Sequence, residues 1–134
     1  MARLKREGRL EVDNRVVTVD EVSVAKPGQS FAFVMDTRVC ASAVTLARGA
    51  NLLVCESTYL SSEAEEAHAH GHLTAVEAAQ IARRAGARRL VLTHFSQRYS
   101  ATEPFVAEAQ AIHQDVVAVN DGDAVDVAAE TVIR

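Results

Sequence analysis

The sequence predicts an α/β protein with a partly parallel sheet, on three observations. Short apolar runs recur along the chain, at 31–35, 52–55, 90–92 and 116–119, and each is too short for a helix. Longer segments with helical patterning separate these runs. The 134 residues, 49% of them hydrophobic, suffice for one domain with a real core and exclude intrinsic disorder. Such alternation is typical of strands joined by helical crossovers.

The predicted strands begin with a hairpin. Two β-branched runs at 10–12 and 16–19 flank the turn 13–15, and the Pro27-Gly28 pair marks the loop that follows. The four apolar runs come next, and their nearly continuous apolarity is typical of strands covered on both faces. A tight turn at Asp121-Gly122 leads into a last strand, 124–128.

Capping signals delimit the predicted helices. A helix at 39–48 is stopped by Gly49, a good residue for a helix C-terminus. Three Ser/Thr-x-x-Glu patterns predict capping boxes at helix N-termini. The pattern at Ser62–Glu65 predicts a helix reaching about Ala67. The pattern at Thr74–Glu77 predicts a helix ending at Gly86, and the pattern at Ser100–Glu103 predicts a helix ending near His113. The four arginines 83, 84, 88 and 89 complement the dipole at one helix C-terminus.

Composition excludes several classes of function. The formal net charge of −4 argues against nonspecific polyanion binding, so any contact with nucleic acid must be local. The longest apolar run is too short to span a membrane, and no secretory signal follows the charged start. Cys40 and Cys55 lack CxxC spacing and are expected to be buried thiols in a reducing compartment. We therefore expect a cytoplasmic protein.

Polar side chains follow four of the predicted strands. Asp36 and Glu56 come directly after an apolar run, and His94 and Asp121 come one residue later. Ligands gather beyond the carboxyl ends of strands in open α/β sheets, so these side chains are candidates for one site. Carboxylates and imidazole together suit hard or borderline divalent metals.

The string His68-Ala-His70-Gly-His72 lies between a Glu-rich helix and the Thr74 capping box, which predicts a loop. A three-His zinc site is the sharper interpretation, and exposed surface imidazoles at His68 and His70 are the plainer and preferred one. His72 differs, because it immediately precedes a helix N-terminus, where free backbone N–H groups favour a phosphate.

The run 93–99 is the densest in reactive groups. It combines an imidazole, a hydroxyl, a guanidinium and two aromatic rings. Arg98 suits a bidentate phosphate contact, and the alternative is a surface ion pair. Phe95 and Tyr99 are expected mainly to pack beneath the loop.

Four segments together resemble one family. They are Met35-Asp36-Thr37-Arg38, Glu56-Ser57-Thr58-Tyr59-Leu60, Gly71-His72-Leu73-Thr74-Ala75 and Leu92-Thr93-His94-Phe95-Ser96-Gln97-Arg98-Tyr99. In order and spacing they resemble the C-terminal half of ribonuclease Z (tRNase Z), the tRNA 3′-processing family of the metallo-β-lactamase superfamily, over about 4–127. The resemblance implies one half of an αββα layered fold. It makes 1–134 a single partial domain, with a hairpin and loop over 1–30 and βα units over 31–128.

The resemblance also implies a metal site. Asp36 would bridge two zinc ions, and His94 would be a ligand of the second. The implied chemistry is metal-assisted hydrolysis of a phosphodiester, with precursor tRNA as partner.

The same resemblance implies roles for four further residues. Glu56 and His72 would line the catalytic pocket, with His72 assisting proton transfer or contacting the scissile phosphate. Ser96 and Arg98 would hold the phosphate or the RNA 3′ end.

The chain departs from the family pattern in ways that matter. The family usually has Gly at Met35, His at Cys55 and Ser at Leu73. The His-x-His-x-Asp-His motif and a further His ligand upstream of Asp36 are absent. The chain is therefore expected to be inactive alone, and a truncation, a mis-called start, a split gene or a degenerate relative would each explain this.

Several interpretations stay open at this point. We expect a homodimer or an association with a missing N-terminal half. The alternatives are another metallo-β-lactamase-fold hydrolase, either phosphodiesterase or arylsulfatase-like, and a noncatalytic α/β interaction module.

Overall fold

A computed structural model describes residues 2–25, 28–127 and 132–133. Pro27 of the predicted Pro27-Gly28 loop and Ala128 of the last predicted strand lie outside these residues. Six helices and eight strands occur in the described part. In chain order they are α1 (Ala2–Glu7), β1 (Arg9–Val12), β2 (Arg15–Thr18), α2 (Val19–Val22), β3 (Phe31–Val34), α3 (Ala41–Leu46), β4 (Leu52–Glu56), a 3₁₀ turn (Ser61–Glu63), α4 (Ala64–His70), α5 (Ala75–Ala85), β5 (Arg89–Thr93), α6 (Glu103–Gln110), β6 (Val116–Ala118), β7 (Ala124–Val125) and β8 (Val132–Ile133).

The central sheet has the order β3-β4-β5-β6, and all its strands are parallel. Val34 lies beside Cys55, and Cys55 beside Leu92, so the carboxyl ends of β3, β4 and β5 are level. This confirms the predicted α/β class and the parallel sheet. It also brings the segments that follow these three strands to one edge.

The core lies between this sheet and the helices α3, α5 and α6. Alanines of α5 with no exposed surface allow the helix to approach the strands closely, and Phe105 of α6 is also fully buried. The α5 capping box at Thr74 and Glu77 is present, and Gly86 ends the helix with a left-handed backbone. Both features confirm the sequence prediction for this helix.

Several local predictions are wrong. The helices begin at Ala64 and Glu103 without side-chain caps, so the boxes predicted at Ser62–Glu65 and Ser100–Glu103 do not form. A 3₁₀ turn occupies the first of these positions instead. His68 and His70 belong to the last turn of α4 and not to a loop. The reason is that α4 continues to Gly71, whose left-handed backbone ends it.

β3 is not covered on both faces. Its burial alternates, and the side chains of Phe31 and Phe33 are 65% and 56% exposed, whereas Ala32 and Val34 are buried in the core. Ala32 and Val34 lie on the face that the helices cover, whereas Phe31 and Phe33 lie on the opposite face and are exposed. The expectation of two covered faces therefore fails at this strand.

The N-terminal segment carries more structure than its sequence predicted. The hairpin of β1 and β2 is present, and Asp13 and Asn14 both have positive φ, which is the geometry of a two-residue hairpin turn without glycine. Helices α1 and α2 flank the hairpin. Among the described residues, no helix is both long and apolar enough to cross a membrane.

Candidate metal centre

Three of the predicted side chains meet at the carboxyl edge of the sheet. Asp36 follows β3, His94 follows β5, and His72 lies between α4 and α5. One ligand atom from each lies within 4.8 Å of the others, the only such cluster found in the described part of the chain. The His94 Nε2 atom is 3.5 Å from the Asp36 Oδ1 atom, and the His72 and His94 ring centres are 5.4 Å apart.

Glu56 lies beneath this cluster and organises it. Its side chain is fully buried at the end of β4. One carboxylate oxygen accepts a 2.6 Å hydrogen bond from the Thr37 backbone N–H. The other accepts from Leu73 N–H at 3.1 Å, from the Thr58 hydroxyl at 2.7 Å and from His72 Nδ1 at 3.0 Å. A buried carboxylate needs such partners, because desolvation without them is costly.

Exposure increases from the buried carboxylate outward. The side chains are 0% exposed for Glu56, 22% for His72, 43% for His94 and 67% for Asp36. The candidate ligand atoms therefore face solvent, whereas the Glu56 carboxylate beneath them is excluded from it.

The backbone at two of these positions is unusual. Asp36 and His94 have φ values of 48° and 60°, in the left-handed region that favours glycine. Holding a non-glycine residue there costs of order 1–3 kcal/mol, and such residues cluster at functional sites. The Thr37 N–H bond to Glu56 holds the chain beyond Asp36, and the Ser96 N–H bond to the Thr58 carbonyl does the same beyond His94.

The donor set suits zinc. One carboxylate and two imidazoles are the ligand types that zinc takes in catalytic sites, where three protein ligands and an open position are typical. The cluster includes His72, for which the family resemblance implied proton transfer or contact with the scissile phosphate, and not metal binding.

The remaining predicted residues lie outside this cluster. Ser96 lines a cleft of about 780 Å³ beside His94, and Asp121 lies across the same cleft. Arg98 bonds to Glu63 at 2.7 Å and stacks over the Tyr59 ring at 5.0 Å, so it makes the surface ion pair that was the alternative prediction. The ion pair raises the pKa of Arg98.

The histidine string does not form a three-His site. His68 bonds to Glu77 at 2.6 Å, and His70 pairs with Glu66 at 3.3 Å. Both rings lie on the exposed surface of α4. The plainer interpretation of the string is therefore the right one, and His72 alone enters the site.

Sequence reasoning missed the role of Thr58. It quoted this residue only as part of a motif, although Thr58 bonds to both Glu56 and His94. The available signal was the alternation Glu56-x-Thr58, which places both side chains on one side of an extended chain.

Comparison with known proteins agrees with the fold. A family model described as the Beta-lactamase superfamily domain matches residues 6–95. The metallo-beta-lactamase fold protein YhfI from Bacillus subtilis has a similar structure, with a TM-score of 0.62, 24% identity, and coverage of 69% of this chain and 37% of YhfI. The chain belongs to the β-lactamase superfamily, and its fold is part of the metallo-β-lactamase fold.

Within that superfamily, the chain is similar to ribonuclease Z. It is 55% identical to ribonuclease Z of Nocardia farcinica over 107 residues, which are 80% of this chain and 35% of that protein. Human tRNase Z, short form, superposes with a TM-score of 0.56 at 30% identity, over 89% of this chain and 36% of the human chain. The predicted family resemblance is confirmed, and the chain spans a little over a third of the length of these relatives.

Proposed function

We propose that this chain supplies part of the active site of a zinc-dependent endoribonuclease that removes 3′ trailers from precursor tRNA by phosphodiester hydrolysis. The observation that carries the proposal is the cluster of Asp36, His72 and His94 on the buried Glu56 carboxylate. The similarity to ribonuclease Z supports the choice of substrate class.

Asp36 and His94 are the proposed metal ligands. Their ligand atoms are 3.5 Å apart, and both left-handed backbones place the side chains at the exposed edge. Bound zinc lowers the pKa of coordinated water and stabilises charge on phosphate oxygens. Asp36, with two carboxylate oxygens at the exposed edge, is suited to contact two ions.

His72 is the proposed proton carrier. Its Nδ1 atom bonds to Glu56, so its Nε2 atom is the one free to exchange a proton with the leaving oxygen. Glu56 orients the ring and stabilises it while it carries a second proton. Glu56 itself is a positioning residue, because its buried oxygens are occupied by protein donors.

Ser96 and Arg98 are the proposed contacts to RNA. Ser96 lines the cleft beside His94, which is wide enough for a nucleotide. Arg98 pairs with Glu63 and is 3.7 Å from Glu66, so an incoming phosphate has to compete with two carboxylates for the guanidinium. Because a guanidinium is a cation with no lone pair for a metal, Arg98 is proposed to contribute to RNA binding and not to metal binding.

The ligand count implies a further contributor. A site for two zinc ions needs about three protein ligands per metal. Of the three residues in the described cluster, only Asp36 and His94 are proposed as ligands, because His72 is the proposed proton carrier. We propose that the remaining ligands come from a segment beyond this sequence, in the same or an associated polypeptide, and that the 134-residue chain alone is inactive.

Reconstitution tests the proposal. The chain is assayed on precursor tRNA alone and together with the part of Nocardia farcinica ribonuclease Z to which it does not align. We expect cleavage only from the combination, and its loss in Asp36→Ala and His94→Ala. Glu65→Ala is the matched control, because Glu65 is an exposed carboxylate on α4 that belongs neither to the cluster nor to the cleft.

The other outcomes separate the alternatives. Hydrolysis of a small phosphodiester without cleavage of precursor tRNA would indicate a different hydrolase of the superfamily. A stable complex that cleaves neither substrate would indicate a noncatalytic module. Cleavage that survives both Asp36→Ala and His94→Ala would contradict the proposed site.

A further inference from the structure

Thr58 occupies a position between a buried carboxylate and an exposed imidazole. Its hydroxyl donates a 2.7 Å hydrogen bond to Glu56 Oε2 and lies 2.9 Å from His94 Nδ1. Both groups belong to the edge cluster, yet Glu56 and His94 share no direct hydrogen bond in the described residues. Thr58 is therefore the link between them.

The direction of each hydrogen bond follows from the donors present. Two of the Glu56 partners are the backbone N–H groups of Thr37 and Leu73, which can only donate, so both carboxylate oxygens are acceptors. A hydroxyl has a single proton to donate, and Thr58 gives that proton to Glu56. The Thr58 oxygen must then accept from His94, which requires a proton on Nδ1.

We propose that Thr58 is a positioning residue that locks His94 in the Nδ1–H tautomer before any metal binds. A neutral imidazole with its proton on Nδ1 carries its lone pair on Nε2. In His94 this is the atom that lies 3.5 Å from Asp36 Oδ1, at the exposed side of the cluster. The inference rests on the proposed function only in taking Nε2 as the atom offered to a metal.

The Glu56 carboxylate also bonds to the second imidazole, that of His72, with no side chain in between. Glu56 bonds to His72 Nδ1 directly at 3.0 Å, so the Nδ1 proton of His72 is held as well. One buried carboxylate thus sets the proton position of two rings, one directly and one through Thr58. Metal-binding histidines commonly donate their other ring N–H to a carboxylate or carbonyl, and here a hydroxyl extends that contact.

The backbone hydrogen bond of Thr58 does not depend on its side chain, so the role of the hydroxyl can be tested separately. The Thr58 carbonyl accepts from Ser96 N–H at 3.0 Å, which attaches the His94 loop to β4 independently of the hydroxyl. Thr58→Val keeps this bond and the side-chain shape while it removes the hydroxyl. Thr58→Ser keeps the hydroxyl and removes a methyl group.

Nitrogen NMR of the ¹⁵N-labelled, metal-free full chain tests the proposal at an alkaline pH where imidazole is neutral. Long-range proton–nitrogen spectra report which ring nitrogen carries the proton. In the wild type we expect His94 to be almost wholly the Nδ1–H tautomer. We expect Thr58→Val to lose that preference and Thr58→Ser to retain it.

Two controls make the result specific. Ser57→Ala removes a neighbouring buried hydroxyl that bonds to the Thr93 carbonyl at 3.2 Å and not to either ring, so His94 is expected to stay unchanged. His72 is the internal control, since its bond to Glu56 survives in Thr58→Val and its Nδ1–H signal is expected to persist.

The outcomes are decisive in each direction. A wild-type His94 that is protonated on Nε2, or that mixes both tautomers, overturns the proposal even if Thr58→Val fails to fold. An unchanged His94 tautomer in folded Thr58→Val overturns it as well. Neither result bears on RNA cleavage, whereas absent cleavage by the reconstituted complex overturns the proposed function and leaves the tautomer result standing.

Discussion

The residues of the edge site divide into a buried carboxylate that supports the site and exposed side chains that can bind a ligand. Glu56 is fully buried at the end of β4 and accepts bonds from backbone and side chains, whereas Asp36 and His94 lie at the solvent edge. The buried carboxylate orients the residues around it, and the exposed side chains are free to bind a ligand. Substitutions of single residues can therefore distinguish a loss of catalysis from a loss of structural support.

The comparison of His72→Ala with His68→Ala tests the role of the histidine string. In the reconstituted enzyme we expect His72→Ala to slow cleavage of precursor tRNA by roughly 10²–10⁴-fold, the usual contribution of a general acid or base, with zinc content unchanged. We expect His68→Ala to leave cleavage unchanged, because His68 pairs with Glu77 on the surface. Rates and elemental analysis measure both. Equal loss of zinc in the two variants would show that the string binds metal.

The two cysteines are expected to react differently. Hydrogen bonding from Ser42, the Ala43 backbone and Thr37 lowers the pKa of the partly exposed Cys40. Burial, together with the charge of Glu56, raises the pKa of Cys55 to about 12. Because the thiolate is the nucleophile, iodoacetamide at neutral pH should modify Cys40 in the native chain and Cys55 only after unfolding. Mass spectrometry of the labelled peptides measures this, and equal labelling would contradict it.

The raised pKa of Cys55 also has a consequence for stability. Between the ordinary pKa of 9.0 and about 12, the unfolded chain loses the thiol proton while the folded chain keeps it. The unfolded state then binds fewer protons, so the free energy of unfolding falls as pH rises through that range. Cys55→Ala is expected to lower stability slightly at neutral pH and to reduce the alkaline loss, as measured by denaturant unfolding at a series of pH values.

At the scale of elements, α5 and α6 differ in how they begin. Thr74 accepts a bond from the Glu77 N–H at 3.2 Å, and Glu77 accepts from the Thr74 N–H at 2.8 Å. Thr102 precedes α6 without a side-chain cap. The N-cap residue of α5, Thr74, stands two residues after His72, so the start of this helix also bears on how His72 is placed.

The two N-caps provide a matched pair of variants. Thr74→Ala is expected to lower the free energy of unfolding by about 1–2 kcal/mol, because it leaves helix N–H groups without a partner. Thr102→Ala is expected to change it by less than about 0.5 kcal/mol, since no cap is lost. Urea unfolding measures both. Similar losses in the two variants would contradict the structural difference between the caps, and Thr74→Ser should recover most of the stability.

At the scale of the whole molecule, the sheet is covered unevenly. The helices α3, α5 and α6 pack on one face, and Phe31 and Phe33 of the edge strand β3 remain exposed on the other. Exposed aromatic side chains on an unpaired strand edge favour association with another chain. The chain spans 35% of its Nocardia farcinica relative, so the larger part of that protein has no counterpart here.

We expect the isolated chain to self-associate through the exposed sheet face that carries Phe31 and Phe33. The double variant Phe31→Thr and Phe33→Thr keeps strand propensity, removes the aromatic surface and should lower the apparent mass in sedimentation velocity. Val24→Thr is the control, because Val24 is exposed and lies outside the helices and strands, and it should leave the mass unchanged. A wild-type chain that sediments as a monomer at all concentrations would contradict the expectation.

Local and periodic information in the sequence determined much of this structure. The apolar runs located the strands of the parallel sheet, and the Thr74–Glu77 pattern with Gly86 delimited α5, because hydrophobic periodicity and capping act within a few residues. The same logic placed Asp36, Glu56 and His94 at strand ends. It failed at α6, where Thr102 stands at the cap position but makes no side-chain cap bond.

Only the tertiary structure decided how these residues act together. Thr58 and His94 are 36 positions apart, and the pairing of β4 with β5 brings them into contact. The selection of His72 over His68 depends on the end of α4 at Gly71, after which the chain turns toward Glu56. Exposure of Phe31 depends on what packs on each face of β3, and the helices cover only the face of Ala32 and Val34. Contacts of this kind are set by packing across the whole chain, and sequence patterns within a few residues do not contain them.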